Sequence, residues 1–351
     1  MNPRLAILAV LVLALVVAAC GETSTVREPT LYAQRGDEDA GSGIVAEPTP
    51  RRGSGLRVTN TRIAFVSHGQ AADGFWAIVR HGLEDAARQS GVAVSYRAPD
   101  TYDVARMGRL IDEAISARLD GLVVSLPDIR ALRAPIRRAL QAGIPVVSIN
   151  SGSDRFRDLG IPVHVGQPEW RAGFESGRRM ARAGVRHGLC VNQETGNEGV
   201  DQRCRGFSAG MRRGRGRASQ ISVDGQDATR AQQQIAGAIQ QLGVDGVMSL
   251  GTSANLPALK AVRAGGFGRD VKLATFDLTP EVLEAVRIKR VLFAVDQQPY
   301  LQGYTPVTLL AERARHGLFP ARGEVIATGP RFITAKDVTD ELIELSRRGF
   351  R

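Results

Sequence analysis

Residues 121–150, GLVVSLPDIRALRAPIRRALQAGIPVVSIN, contain the unit that decides the fold. An apolar strand over 121–125 is followed by a helix predicted over 135–142 and by a second apolar strand over 144–149. The strands are apolar runs without alternation, which is typical of parallel strands that are covered on both faces. This stretch therefore predicts a strand–helix–strand unit within a parallel sheet.

The same unit recurs along the chain in both directions. Further apolar strands begin near residues 62 and 92 on one side, and near 188, 219, 246, 271 and 291 on the other. Helical spacing of apolar residues separates these strands. The repetition predicts an α/β protein with two doubly wound parallel-sheet lobes, which face each other across a cleft.

Polar residues follow the apolar strands at the points where the strands end. They occupy positions 67–73, 125–128, 150–151, 192–197, 251–252, 277 and 297. In open parallel sheets, ligands bind beyond the carboxyl ends of the strands. These positions therefore predict a binding cleft, and they form the strongest functional signal in the chain.

The first twenty residues predict export. A short charged start, Met1 to Arg4, precedes an apolar run over 5–17, and Val17-Ala18-Ala19-Cys20 resembles the bacterial lipobox. This pattern predicts a signal peptide over 1–19 and a lipid-bearing Cys20, so that the protein is exported and anchored to the membrane at the cell envelope. An ordinary secretory signal is the alternative. Residues 20–58 have the composition of a flexible linker.

Length and composition exclude several classes of protein. A chain of 351 residues is long for one hydrophobic core, and 43% hydrophobic and 23% charged residues are typical of a globular protein. The net charge of +10 comes mostly from scattered arginines, and we interpret these as a solvated surface without a nucleic-acid partner. The basic run over 212–217 is interpreted in the same way, as a solvated connector.

Motifs for catalysis or cofactors are weak. Residues 206–210 match the G-x-S-x-G pattern of serine hydrolases, but they lie within a predicted helix without the strand that the nucleophile elbow requires. The sequence has no phosphate-binding loop, and its five histidines lack metal-ligand spacing. We therefore predict no cofactor and no metal. His68 follows a strand, where it either contacts a ligand or lies in a solvated loop, and we favour the solvated loop.

Cys190 and Cys204 remain when Cys20 is lipidated. They lie on a predicted strand and on the helix that follows it, and such neighbours pack face to face. In an oxidising compartment they form either a disulfide or two buried free thiols, and the sequence leaves both alternatives open.

The order of the motifs resembles the sugar-binding periplasmic proteins, in the branch of ribose-binding protein. The resemblance rests on Asp73-Gly74-Phe75-Trp76, Asp120-Gly121-Leu122, Ala142-Gly143-Ile144-Pro145-Val146-Val147 and Phe276-Asp277, and it spans about 62–334. It implies a monomeric binding protein, not an enzyme, that captures a small sugar or polyol and delivers it to an ABC permease. It also implies a hinge of three crossovers, with lobes over 59–165 plus 298–323 and over 166–297 plus 324–351.

The resemblance also implies a set of ligand-binding residues. These positions are Asp73, Phe75, Trp76, Asn150, Ser151, Arg203, Gly251, Thr252, Asp277 and Gln297. The two aromatic rings would lie against the ligand, and the guanidinium of Arg203 would donate a forked pair of hydrogen bonds to it. Gly251-Thr252 and Pro168 depart from the ribose-binding pattern, so ribose itself is not implied.

Other interpretations of these residues are possible. The aromatic pair could belong only to the core, and Asp73 and Asp277 could serve only as caps of helices. A DNA-binding regulator with this fold would need a helix-turn-helix before the first lobe, where the sequence has an export signal instead. A sugar hydrolase would use two carboxylates in the cleft, and a sensory lipoprotein would bind a receptor in place of a permease.

Overall fold

The computed structural model describes residues 60–69, 73–100, 102–267 and 270–351. The strands in chain order are β1 (Arg62–Val66), β2 (Ala93–Arg97), β3 (Gly121–Ser125), β4 (Val146–Ile149), β5 (Val163–Gly166), β6 (His187–Asn192), β7 (Arg217–Ser222), β8 (Gly246–Ser249), β9 (Lys272–Phe276), β10 (Ala294–Asp296), β11 (Glu324–Ala327) and β12 (Arg331–Ile333). The signal peptide, Cys20 and the linker over 20–58 lie outside the described residues.

Within this range the strands form two six-stranded sheets. Their orders are β11-β5-β4-β3-β1-β2 and β12-β10-β9-β8-β6-β7. All pairs are parallel except β12, which runs antiparallel to β10 at the edge of the second sheet. The predicted α/β fold with two doubly wound lobes is confirmed, with this one antiparallel strand added.

Helices cover both faces of each sheet. They are α1 (Gly74–Ser90), α2 (Val104–Ser116), α3 (Ile129–Gln141), α4 (Glu169–Arg182), α5 (Glu198–Arg213), α6 (Ala228–Leu242), α7 (Thr252–Ala264), α8 (Pro280–Arg287), α9 (Pro299–His316) and α10 (Asp340–Arg347). Helix α3 begins six residues before the predicted start at Pro135, because the side chain of Asp128 caps its first turn. Pro135 lies inside α3, on its buried face.

The chain crosses between the lobes three times, after β5, after β10 and after β11. The predicted boundary after residue 323 is wrong by a few residues. Residues 324–327 form β11, which pairs with β5 in the first sheet, so the third crossing follows this strand. Its side chains are only half buried, and a short edge strand of this kind carries little apolar signal.

Glycines bring two pairs of helices into backbone contact. A Cβ atom on Gly82 of α1 would lie 2.1 Å from the carbonyl oxygen of Tyr300 on α9. In the second lobe, a Cβ atom on Gly206 of α5 would lie 2.1 Å from the carbonyl oxygen of Trp170 on α4. Gly206 and Gly210 are therefore packing residues, which explains the G-x-S-x-G match without any hydrolase chemistry.

A disulfide joins the second sheet to its covering helix. Cys190 on β6 and Cys204 on α5 are bonded, and their Cα atoms lie 5.7 Å apart. Of the two alternatives that the sequence leaves open, the structure has the bridged one. Because Arg203 directly precedes Cys204 on α5, the bridge lies one residue away from a side chain that lines the cleft.

Candidate functional site

The carboxyl ends of the strands of both sheets meet at one cavity between the lobes. It is lined by His68, Asp73, Phe75, Trp76, Asn150, Gln193, Glu194, Asn197, Val200, Arg203, Leu250, Gly251, Thr252, Asp277 and Gln297. Nine of the ten residues predicted for the ligand are in this set, and Ser151 is not.

Asp73 lies at the start of α1 on the first-lobe wall. Its Oδ1 accepts a hydrogen bond from the backbone N–H of Phe75 at 2.8 Å, so it caps the helix as the sequence suggested. The hydroxyl of Thr252 donates to the same oxygen at 3.1 Å from the opposite lobe. Desolvation raises the pKa of Asp73. The carboxyl group therefore serves as a cap and also faces the cleft.

Phe75 and Trp76 form the apolar part of this wall. Their ring centroids lie 5.2 Å apart in an edge-to-face arrangement, and both side chains are almost fully buried in the core of the first lobe. Both also line the cavity. The core and cavity positions are compatible, because each ring packs on the lobe and leaves part of its surface toward the cleft.

Asn150 and Ser151 follow β4 and have different surroundings. The amide of Asn150 donates to Oε1 of Gln302, on the hinge helix α9, at 3.2 Å. The hydroxyl of Ser151 lies 2.9 Å from Oδ1 of Asn197, in the second lobe. Asn150 thus faces the cavity with its orientation held by Gln302, whereas Ser151 contacts the other lobe.

Arg203 is held differently from the prediction. Its Nε and Nη2 donate to the two carboxylate oxygens of Glu169, at 2.6 and 2.9 Å, and its Nη1 donates to the carbonyl of Leu250 at 2.8 Å. The forked pair that was predicted for a ligand is therefore used by Glu169. One face of the Arg203 guanidinium stacks on the ring of Phe276, and its Cζ lies 4.6 Å from the ring centroid. Arg203 still lines the cavity, with little hydrogen-bonding capacity left for a ligand.

Glu169 is a residue that the sequence reasoning missed. It is the first residue of α4, directly after the first crossing between the lobes, and it is almost fully buried. An acidic residue in the first turn of a helix is common, so its position carries no specific signal. Its partner lies 34 residues away, and only the packing of α4 against α5 brings the two together.

Asp277 and Gln297 line the cavity from the second lobe. The amide of Gln297 donates to Oδ1 of Asp277 at 2.6 Å. Asp277 follows β9 with a φ of 66°, in the left-handed region that Asp adopts more readily than most residues. Burial raises the pKa of Asp277 to about 7, against the opposing effects of Arg203 and Gln297. The carboxyl group therefore titrates near neutral pH inside the cleft.

His68 is a second residue whose expected environment is wrong. It is 2% exposed, whereas the sequence placed it in a solvated loop. Its Nδ1 lies 2.8 Å from the hydroxyl of Ser125, and its Nε2 lies 3.1 Å from Nδ2 of Asn197 across the cleft. Glu194 lies 3.6 Å from the same ring nitrogen. His68, Glu194 and Asn197 therefore join the lobes at the cavity, which all three line, so the alternative position of His68 at the ligand agrees with the structure.

The loop after β6, which the sequence predicted as part of the cleft, supplies lining residues beyond the predicted ligand set, namely Gln193, Glu194 and Asn197. Burial tends to raise the pKa of Glu194, but interactions with His68 and Asn197 outweigh it, and the pKa lies below its ordinary value. A Cβ atom on Gly251 would lie 2.4 Å from Nε2 of Gln193, so this glycine leaves room for that amide. The polar character of residues 192–197 was the sequence feature that indicated their place in the cleft.

The described ranges contain neither a metal-binding cluster nor a membrane-spanning helix. Within those ranges, no group of three or more His, Cys, Asp and Glu side chains is arranged to hold a metal ion. Nor does any helix there have the length and apolar character that crossing a bilayer requires.

Residues 63–317, well over half of the chain, match the family model described as periplasmic binding protein domain. The chain belongs to the periplasmic binding protein family. The resemblance that the motifs indicated is thereby confirmed, and so is the prediction of a binding protein in place of an enzyme, because the relatives are named as binding proteins.

This periplasmic binding protein is similar to several characterised proteins. It is 23% identical over 307 residues to a xylose/arabinose-binding protein of Sulfolobus acidocaldarius, covering 80% of this chain and 73% of that one. It is 27% identical over 222 residues to a D-ribose/D-allose-binding protein of Pseudomonas aeruginosa, covering 58% and 66%. A crystal structure of a carbohydrate transporter from Acidothermus cellulolyticus, in complex with myo-inositol, superposes with a TM-score of 0.78 at 33% identity, covering 83% of this chain and 100% of that one.

Proposed function

We propose that this periplasmic binding protein captures a small neutral polyol or monosaccharide between its lobes and delivers it to the permease of an ABC importer. It acts as a monomer, exported by its signal peptide and held at the membrane by a lipid on Cys20. The observation that carries the proposal is the cavity itself, where the Phe75–Trp76 pair faces carboxylates and amides from the other lobe.

The charge distribution of the cavity favours a neutral ligand. Its arginine is already paired with Glu169, so an anionic ligand would find no free guanidinium fork. Asp73 and Asp277 offer carboxylate oxygens from opposite lobes, which suits the hydroxyl donors of a polyol. The aromatic pair suits the C–H face of a sugar or cyclitol ring.

Contacts between the lobes give a physical basis for closure around the ligand. Thr252 and Asp73 are bonded across the cleft, as are Asn197 and His68. The backbone N–H of Glu198 donates to the carbonyl of Pro127 at 2.9 Å, again between lobes. A ligand that contacts both walls favours the closed state, which a permease can recognise as the loaded form.

A binding screen tests the class of ligand. We expect myo-inositol, D-ribose, D-allose, D-xylose or L-arabinose to raise the Tm of full-length protein carrying Cys20→Ser, and titration calorimetry then gives Kd. Asp277→Ala should weaken binding by about 1–3 kcal/mol, because it removes an acceptor from a desolvated cleft. Asp112→Ala, at an exposed ion pair with Arg138, is the control. Equal affinity in both variants and wild type would show that the cleft is misassigned.

Membrane fractionation tests the anchor separately. Wild-type protein should carry a lipid on Cys20 and sediment with the membrane, whereas Cys20→Ser should be released or remain unprocessed. Soluble wild-type protein that is cleaved at another position would contradict lipidation and leave the proposed ligand class unaffected.

A further inference from the structure

A groove adjoins the cavity at the edge of the cleft that lies opposite the hinge. Its volume is about 330 Å³, and it shares His68, Asp73, Gln193 and Glu194 with the cavity. Most of its other lining comes from the loops after β2 and β7, the two edge strands farthest from the crossings, and Thr195 and Ser253 complete it. Such a volume is sufficient for a small organic group. The groove and the cavity therefore lie on either side of these four shared side chains.

Two buried polar atoms around this groove have no hydrogen-bond partner among the described residues. Among the described residues, none bonds the hydroxyl of Tyr102 or Oε1 of Gln193. Burying such a group without a partner costs about 1–3 kcal/mol. Asp224, Gln226 and Ser253 add polar groups on the second-lobe side. The groove is thus lined by a tyrosine ring and by several polar side chains, with two further buried polar atoms directly behind its wall.

The charges of the groove restrict what it can hold. Its described lining includes three carboxylates, on Asp73, Glu194 and Asp224, and neither Lys nor Arg. Phosphate, sulfate and uronate groups would be repelled. Hydroxyl groups can donate to the carboxylates and to Gln193, and they can accept from the phenol of Tyr102.

We infer that the groove is a second subsite, which binds a hydroxylated, uncharged sugar ring joined to the polyol or monosaccharide in the cavity. The inference rests on the proposed function and extends it, because the ligand class becomes a two-ring glycoside. The first ring lies between the Phe75–Trp76 pair and Asp277, and the linkage passes His68 and Gln193. The second ring contacts Tyr102 and the loop over 223–226.

Paired ligands test this subsite in full-length protein carrying Cys20→Ser. The pairs are myo-inositol with galactinol and D-xylose with xylobiose, and myo-inositol 1-phosphate is the charged comparison. We expect at least one two-ring compound to bind as tightly as its one-ring parent or more tightly. The phosphate should bind at least tenfold more weakly than myo-inositol.

Variants then locate the contact. Tyr102→Phe and Gln226→Ala should each weaken the two-ring ligand by about three- to tenfold and change the affinity for the parent less than twofold. Tyr102→Phe should keep or raise the Tm, because it removes an unpaired buried hydroxyl. Tyr304→Phe, which removes a hydroxyl bonded to Gln89 far from the cleft, should change neither affinity.

Results that differ from these expectations refute either the subsite alone or the proposed ligand class as well. If the parents bind and every two-ring compound binds more weakly than its parent, the subsite is refuted and the proposed function stands. If the variants weaken parent and two-ring ligands equally, Tyr102 and Gln226 belong to the first site and the subsite is refuted. If no member of either pair binds, the subsite is refuted, and the proposed ligand class fails with it when D-ribose, D-allose and L-arabinose do not bind either.

Discussion

The first-lobe wall of the cleft presents Phe75 and Trp76 at the start of a capped helix, whereas the second-lobe wall presents a buried arginine and a buried carboxyl group. Both walls rest on helix pairs that glycines bring into backbone contact. Only the second has an ion pair with Glu169 and a disulfide beside Arg203. The second-lobe wall is therefore fixed by an ion pair and a disulfide within its own lobe, whereas the first-lobe wall is held by apolar packing.

This difference separates two tasks of a binding cleft. A charged side chain that is fully paired cannot reorganise without loss of stability. Arg203 therefore holds Gln297, to which it donates, and Gln297 in turn donates to Asp277. Aromatic faces provide contact area with little directional demand. Specificity for hydroxyl groups should therefore come mainly from the second wall, and ring stacking from the first.

Glu169→Gln should have the largest effect, because it leaves the buried guanidinium of Arg203 without its counter-charge. We expect the free energy of unfolding in urea to fall by about 3–5 kcal/mol. Glu175→Gln is the matched control on the same helix, since Glu175 pairs with Arg178 at 3.0 Å in a partly exposed position. It should cost less than about 1 kcal/mol. Similar decreases in the free energy of unfolding in the two variants would mean that the Glu169–Arg203 ion pair does not stabilise the second-lobe wall.

Loss of the Cys190–Cys204 bridge should cause the second-largest decrease in the free energy of unfolding. The bridged residues are 14 positions apart, and closing a loop of this length is worth about 3 kcal/mol in the chain-entropy model. We expect reduction of exported Cys20→Ser protein to lower its free energy of unfolding by roughly that amount. Intact-mass measurement with alkylation should show no reactive cysteine before reduction. Two alkylated cysteines at that stage would disprove the bridge.

Gly206→Ala should disturb the packing of α5 against α4 behind the second-lobe wall, because the added Cβ would clash with the backbone of α4. Overpacking of this kind costs about 1–3 kcal/mol, measured by urea unfolding. Gly237→Ala provides the opposite control, since a Cβ on this glycine of α6 meets no heavy atom within 4 Å. That variant should be more stable than wild type by about 0.5–1 kcal/mol. A loss in both variants would point to a general intolerance of helical substitutions.

The smallest effect is a pH dependence of binding. With the pKa of Asp277 at about 7, the ionised fraction rises roughly tenfold between pH 6 and pH 8, and the ionised form accepts ligand hydroxyls better. Affinity measured by calorimetry should therefore tighten about tenfold over this range, and Asp277→Asn should abolish most of the change. An equal pH dependence in the variant would assign it to another group.

The same shift affects stability in the opposite direction. The pKa of Asp277 is raised in the folded protein above its usual value of 3.8, so the fold favours the protonated form. Its contribution to stability is fully present below about pH 4 and is lost as the pH rises through about 7. Ligand-free protein should therefore lose stability over this range while ligand affinity increases.

Much of the fold was predictable because it depends on local patterns. Apolar runs predicted the strands, and short polar residues after them predicted both the helix starts and the edge of the sheets where the cavity lies. Asp73 illustrates this, since its capping position places its carboxyl group at the cleft. The β11 strand was assigned to the wrong lobe because a half-buried edge strand has little apolar signal of its own.

The sequence by itself determined the repeating strand–helix units, the two lobes and the polar strand ends, since these follow from residue periodicity and capping over short distances. Only the tertiary structure decided which of those polar groups remain available to a ligand. Arg203 is held by Glu169 across 34 residues, and His68 is buried against Asn197 from the other lobe across 129 residues. Such pairings depend on how helices and lobes pack, because a charge or a ring nitrogen bonds whichever partner the fold brings within about 3 Å.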